Sequence, residues 1–167
     1  MDTVQAAVVT ISDTGYTGQR EDVSGPVLAD LVRELGAEIV RRTIVPDERD
    51  EIVRLLVSLA DEVGVDLVLT TGGTGITPRD VTPEATRAVI QREMPGIAEV
   101  LRLEGYRQTP LAVISRGVSG IRGRTLIVNL PGSPNAVREG METLSPILPH
   151  AIRMLRGEDT EHDHADA

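Results

Sequence analysis

Apolar and polar positions along this 167-residue chain switch repeatedly between a strand-like and a helix-like period. Residues 4–11 are a mostly apolar run of strand length. From Ser24-Gly25-Pro26 the apolar positions Leu28, Leu31, Val32 and Leu35 fall at i, i+3, i+4 and i+7, the stripe of an amphipathic helix, which Gly36 stops. Residues 37–45 read as a second strand. Pro46-Asp47 opens another helix with the stripe Ile52, Leu55, Leu56, Leu59 and Val63, ended by Gly64. Residues 65–69 read as a third, buried strand. Helix is expected from 82 to about 107 with a break near Pro95-Gly96, strands at 111–115 and 125–130 with an Arg- and Gly-rich loop between them, and a last helical region from Ser133-Pro134 to about 155. Strands alternating with helices predict an α/β fold, a mostly parallel sheet covered on both faces. Residues 1–156 read as one domain, and 157–167 as a disordered acidic tail with no apolar side chain larger than Ala.

In such a sheet ligands bind beyond the carboxyl ends of the strands. Four segments fall there: Ser12-Asp13, Asp47, the run Thr70-Thr71-Gly72-Gly73-Thr74-Gly75 with Asp80 after it, and Asn129-Leu130-Pro131-Gly132-Ser133-Pro134. The glycine run leaves a buried strand and precedes Thr82-Pro83, a cap-then-proline helix start. Its exposed backbone N–H groups suit a phosphate, and Arg79 and Asp80 beside it suit a nucleotide with its magnesium ion. The run has neither the Lys-Ser/Thr ending of a P-loop nor dinucleotide spacing. It is read either as a ligand loop or as a tight structural turn.

Composition narrows the chemistry. There is no Cys, which removes thiol catalysis and Cys-ligated metals. There is no Lys either, so all 17 basic residues are Arg, and any grip on phosphate falls to Arg or the main chain. A net charge of −9 argues against a nucleic-acid surface. No apolar run is long enough to span a membrane, and the amino terminus lacks a basic signal-peptide region, so the cytoplasm is the expected location. With no Phe or Trp the core must be aliphatic, which points to a partner subunit completing the buried surface. His150 reads as a packed or interface histidine. His162 and His164 lie in the acidic tail, a loose metal cluster or simply a solvated segment. Carboxylates, hydroxyls, Arg and backbone remain, a set suited to phosphoryl or nucleotidyl transfer with Mg²⁺.

Bland readings stand beside the functional ones. Asp47 is either a functional carboxylate or the N-cap of the following helix, with Asp50 three residues on. Asp13 is either functional or a turn former through Asp13-Thr14-Gly15. Asp80 is not needed to cap the helix at Thr82 and reads as functional. Arg116, Arg122 and Arg124 are either a phosphate-facing group or a solvated loop.

Taken together, the glycine run, Pro78-Arg79-Asp80-Val81-Thr82-Pro83-Glu84, Arg92-Glu93-Met94-Pro95-Gly96, Ser115-Arg116 and Asn129-Leu130-Pro131-Gly132-Ser133-Pro134 resemble the MogA/MoaB family of molybdenum cofactor biosynthesis, a domain also found in gephyrin. Ile11-Ser12-Asp13 and Pro46-Asp47-Glu48 fit as well, and the resemblance runs from about 4 to 155. It implies a three-layer α/β/α sandwich assembling as a trimer or as a hexamer of two trimers. The implied activity is adenylylation of molybdopterin: ATP gives AMP to the terminal phosphate of the pterin, with Mg²⁺ present and pyrophosphate released. The enzyme that inserts molybdate is the implied downstream partner. By the same resemblance Gly72, Gly73, Thr74 and Gly75 hold phosphates, and Asp47 and Asp80 are the essential carboxylates acting through Mg²⁺. Ser115 and Asn129 line the pterin and nucleotide pocket, Pro131, Gly132 and Pro134 shape its wall, and Ser12 and Asp13 lie beside it. Alternatives are a non-catalytic molybdopterin-binding or carrier protein, and hydrolytic phosphatase-like chemistry in the same pocket.

Overall fold

A computed structural model describes residues 2–158, and the last nine positions of the acidic tail, with His162 and His164, lie outside the described residues. Among the described residues six strands form one sheet: β1 (Gln5–Ile11), β2 (Glu38–Val45), β3 (Leu67–Thr71), β4 (Arg92–Glu93), β5 (Ser119–Arg122) and β6 (Thr125–Leu130), in the spatial order β2-β1-β3-β6-β5-β4. β2, β1, β3 and β6 run parallel, and β5 and β4 add an antiparallel margin. The helices are α1 (Asp13–Tyr16), α2 (Ser24–Glu34), α3 (Arg49–Val57), α4 (Thr82–Val89), α5 (Pro95–Gln108), α6 (Pro134–Leu144) and α7 (Leu148–Arg156).

The inner strands are buried on both sides, and successive side chains go to opposite layers. Ala6, Val8, Leu67, Leu69, Leu126 and Val128 pack with Leu28, Val32, Ile97, Val137, Leu144 and Ile152 of α2, α5, α6 and α7. Ala7, Val9, Ile11, Val68 and Ile127 pack with Ile52, Leu56, Leu59, Ala85 and Val89 on the other side. These two aliphatic cores make the α/β/α sandwich expected from the sequence. Among the described residues no helix is long and apolar enough to cross a membrane.

Several expected elements differ. Residues 111–115 are not a strand: Pro110–Ile114 is a 3₁₀ helix, with the Thr109 hydroxyl accepting from the Leu111 N–H at 3.4 Å. A five-residue apolar run carries no decisive period, and proline in its first turn with a polar cap before it favours a helical turn. The Arg- and Gly-rich stretch is not all loop. It contains β5, which hairpins onto β6 through Gly123-Arg124, with Gly123 at φ +56. The helix expected from 82 to 107 breaks earlier than foreseen, at β4, and Pro95 begins α5 rather than interrupting a helix. The last helical region is two helices, because Pro146 cannot continue α6. The helix after Asp47 ends in a π-helical segment, Ser58–Val63, which turns Val63 out of the core stripe into solvent. His150 is exposed on α7 beside Arg153 and is not packed.

Candidate active site

β1, β2, β3 and β6 all point their carboxyl ends to one edge, and the strand order steps from β1 to β2 on one side and to β3 on the other. A crevice opens at such a switch point. The loop after β3 is held deep in it. Gly72 has φ +102, and its N–H donates to the Leu130 carbonyl at 3.1 Å. A Cβ on Gly72 would lie 2.3 Å from the Ile11 carbonyl oxygen, so only glycine fits between β1 and β6 there. Beyond it, the N–H groups of Gly73, Thr74 and Gly75 donate to no group among the described residues. Gly132 and Ser133, before α6, likewise present free N–H groups, and the Ser133 hydroxyl caps α6 by accepting from Ala136 N–H at 3.1 Å. Two sets of unpaired donors at one strand edge form an anion cradle.

The two expected carboxylates flank this loop. A Cβ on Gly73 would stand 3.0 Å from Asp47 Oδ1, and one on Gly75 would stand 2.8 Å from Asp80 Oδ2. The missing side chains are what let both carboxylates close on the loop. Asp80 folds its own turn: Oδ2 accepts from Thr77 N–H at 2.9 Å and from the Thr77 hydroxyl at 2.7 Å. Asp47 is not an N-cap. α3 starts at Arg49 without a side-chain cap, and Asp47 Oδ2 instead accepts from the Asp13 N–H at 2.9 Å. Asp13 Oδ1 returns the bond to the Asp47 N–H at 3.0 Å, so the ends of β1 and β2 cap each other. Oδ1 of Asp47 and Oδ1 of Asp80 have no donor among the described residues.

Charge is distributed unevenly here. Arg79 forks onto both oxygens of Asp13 at 2.9 Å each and reaches Glu48 at 2.9 Å. Those hydrogen bonds hold the Asp13 carboxyl below the usual carboxylate range. Asp47 goes the other way. Burial pushes its carboxyl up, and the Asp13 and Asp80 charges add to that against the Asp13 N–H.

A cavity of about 530 Å³ extends from the loop between α5, α6 and the 3₁₀ helix. Gly73, Thr74, Gly75, Asp80, Ser115, Asn129, Pro131 and Gly132 line its polar end, and Leu101, Leu111, Ala112, Ile114, Ala136 and Gly140 its apolar body. Of the residues expected from the sequence, Ser12, Asp13, Asp47, Gly72 and Pro134 do not line it. Ser12 caps α1 by accepting from Gly15 N–H, and Pro134 opens α6. The Asn129 amide is buried and fully used, donating to the Thr70 and Thr86 hydroxyls at 3.0 Å and accepting from Val118 N–H. It fixes β6 against β3, α4 and the residue before β5, beneath the loop.

The three loop arginines do not form a phosphate-facing group. Arg116 braces the glycine loop, donating to the Gly75 carbonyl at 2.7 Å, the Asp80 carbonyl at 2.8 Å and the Glu84 carboxylate. Arg122 pairs with Asp61. Arg124 lies at the far edge of the sheet, near Asp66. Sequence reasoning missed the bracing role of Arg116, the clamp of Arg79 and the cavity-lining Arg102 and Glu139. Arg79 stood in the quoted motif, but its partners lie far away along the chain.

A family model described as a probable molybdopterin binding domain matches residues 7–150. The chain is 46% identical over 160 residues to the Drosophila melanogaster molybdenum cofactor synthesis protein cinnamon, covering 95% of this chain but spanning only about a quarter (26%) of that protein. It is 40% identical to a Helicobacter pylori molybdopterin adenylyltransferase, covering 94% of this chain and 90% of the relative. Among solved structures, the molybdopterin biosynthesis enzyme MoaB from Thermus thermophilus superposes with a TM-score of 0.88 at 47% identity, covering 93% of this chain and 98% of that one.

Proposed function

The chain belongs to this molybdopterin-binding domain family of molybdenum cofactor biosynthesis, and from that premise we propose that it is a molybdopterin adenylyltransferase. One observation carries the proposal beyond family membership: two carboxylates, Asp47 and Asp80, each with one undonated oxygen, flank a glycine loop of unpaired N–H groups at the polar end of an apolar cavity. A flat pterin suits the apolar body, and its terminal phosphate and the phosphates of ATP suit the cradle.

In the reaction, a terminal phosphate oxygen of molybdopterin attacks the α-phosphorus of ATP. The bond from that phosphorus to the bridging oxygen breaks, and pyrophosphate leaves. The free N–H groups of Gly73, Thr74 and Gly75 hold phosphate oxygens and favour the charge that builds on them. Asn129 and Arg116 keep the loop in shape, and Ser115 borders the same space. The apolar wall keeps water from competing for the α-phosphorus. Among the described residues no three metal-ligating side chains gather. Two carboxylates with free oxygens nevertheless fit Mg²⁺, which typically takes one or two carboxylates together with substrate phosphates. Asp47 and Asp80 would hold it, and its chemistry there is charge neutralisation on the triphosphate.

An ATP-consuming reaction suits the cytoplasm, and the product suits a molybdate-inserting enzyme downstream. The exposed Leu103, Tyr106, Leu111, Val113 and Ile114 support self-association, as a trimer or a hexamer; sedimentation at micromolar concentration showing only an 18.0 kDa species would contradict it. We read residues 1–156 as a single molybdopterin-binding domain. The deciding assay is ATP-dependent pyrophosphate release with molybdopterin supplied. Molybdopterin binding without that release would support the carrier reading instead.

A further inference from the structure

We propose that Arg79 is a positioning residue for nucleotide binding, tying the turn that carries Asp80 to the strand ends that carry Asp47. The inference rests on the adenylyltransferase reading. Asp80 follows Arg79 directly in the chain, and the Arg79 side chain shares no partner with the Arg116 brace. Its Nε donates to Asp13 Oδ2 and one terminal nitrogen to Asp13 Oδ1, both at 2.9 Å. The same terminal nitrogen donates to Glu48 Oε1 at 2.9 Å. Asp13 is locked to Asp47 by their reciprocal backbone hydrogen bonds, and Glu48 adjoins Asp47. One guanidinium thus joins three loops, after β1, β2 and β3, that carry or adjoin both carboxylates.

The alternative is an ordinary surface ion pair. The Arg79 side chain is 55% exposed, and Asp13 and Glu48 are 39% and 53% exposed. Exposed pairs contribute little to stability. The fork beside the glycine loop is also an odd place for stabilisation alone, since none of the guanidinium donors goes to Asp47. What the fork does provide is geometry: a planar guanidinium fixes a carboxylate in two hydrogen bonds, which an ammonium cannot. Without Arg79 the glycine loop stays pinned by Arg116 and by the Thr82 N–H bond to the Gly73 carbonyl, but its Asp80 turn loses its link to β1 and β2. Neither Arg79, Asp13 nor Glu48 lines the apolar cavity. The effect therefore falls on the nucleotide and its cation, not on the pterin.

The test compares wild type, Arg79→Ala, Arg79→Lys and Glu48→Gln, with Arg122→Ala as a control ion pair away from the site. A non-hydrolysable ATP analogue with Mg²⁺ and, separately, molybdopterin are titrated calorimetrically, and KM and kcat are measured for ATP. Arg79→Ala is expected to weaken analogue binding about tenfold, the scale of one lost charge-assisted contact. It should leave molybdopterin binding within about twofold and the melting temperature within about 3 °C. Arg79→Lys should recover little, and Glu48→Gln should lose about threefold, because one arm of three keeps an oxygen acceptor but loses its charge assistance. Arg122→Ala should shift melting without moving either affinity. Unchanged analogue binding in Arg79→Ala, equal loss of both ligands, or full rescue by Lys would each overturn the inference. Wild-type protein that binds no analogue and releases no pyrophosphate would sink the adenylyltransferase reading itself, and this inference with it.

Discussion

Arginine–aspartate forks close both ends of the parallel sheet, and they leave their surroundings in opposite states. At the amino end, Arg156 holds both oxygens of Asp66 at 2.9 and 2.7 Å and also takes the carbonyls of Asp2 and Thr3. The Gln5 N–H completes Asp66 at 2.8 Å. Both side chains are nearly enclosed, at 10% and 15% exposure. At the carboxyl end, Arg79 holds Asp13 with the same fork, but in the open. Around it Asp47 Oδ1, Asp80 Oδ1 and three loop N–H groups have no partner among the described residues. The chemistry of the pair is the same; what differs is whether the neighbouring polar groups are satisfied. A saturated network can only stabilise, whereas an unsaturated one has capacity left for a ligand.

The sharpest way to separate the two ends is to remove charge from each. Asp80→Asn and Asp47→Asn should each lower turnover about 10³-fold, equivalent to about 4 kcal/mol of barrier, with the fold intact by circular dichroism. Near wild-type turnover at saturating Mg²⁺ would mean that the carboxyl-end oxygens are not the functional ones.

Arg156→Ala should do the reverse. Leaving Asp66 enclosed and uncompensated should cost about 3 kcal/mol of stability, read as a chemical-denaturation midpoint shift with unchanged slope. Turnover per folded molecule should stay the same. A drop in turnover without a drop in stability would show that the amino end communicates with the site.

The pH dependence of stability sharpens the contrast further. Burial opposes the Asp66 charge, but the Arg156 and Gln5 hydrogen bonds outweigh it and hold the carboxyl low. Its contribution is then complete above the unfolded carboxylate pKa of about 3.9 and is lost as pH falls through the lower folded value. The Asp47 carboxyl is raised, mainly by burial. Its ionised form therefore weakens the fold above that raised value, and the penalty fades as pH falls. Asp47→Asn should raise the melting temperature at pH 7 and lose that advantage at acid pH, while Asp66→Asn should flatten the acid limb. Thermal melts from pH 3 to 8 distinguish them, and a less stable Asp47→Asn at pH 7 would contradict this assignment. The smallest effect belongs to Arg33→Ala. It breaks an exposed pair with Asp30 on α2 and should change stability by less than about 0.5 kcal/mol in the same melts.

Much of this molecule was readable along the chain. The strands at 5–11, 38–45, 67–71 and 125–130, the stripes of α2 and α3 and the Ser133 cap follow from period and local capping, which act over a turn or two. Because parallel strands end at one edge, the sequence also placed Ser12, Asp47, the glycine loop and Asn129 together without any contact being known. The short apolar segment at 110–114 and the two-residue β4 escaped, since runs of that length have no period to measure.

What only the folded chain decided is which polar groups find partners. Asp47 could be read along the chain as a functional carboxylate or as a helix cap, and what rules out the cap is that its hydrogen bond comes from Asp13, 34 positions away. The Asn129 amide is taken by Thr70 and Thr86, 59 and 43 positions away, and Arg79 by Asp13 at 66. The glycines could be recognised as loop formers, but not that Gly73 and Gly75 make room for two particular carboxylates. Local sequence sets backbone conformation through sterics and short-range hydrogen bonds. The satisfaction of a buried or half-buried polar group depends on whatever the packing brings within 3 Å of it, and at this edge of the sheet that is set by strand order and register.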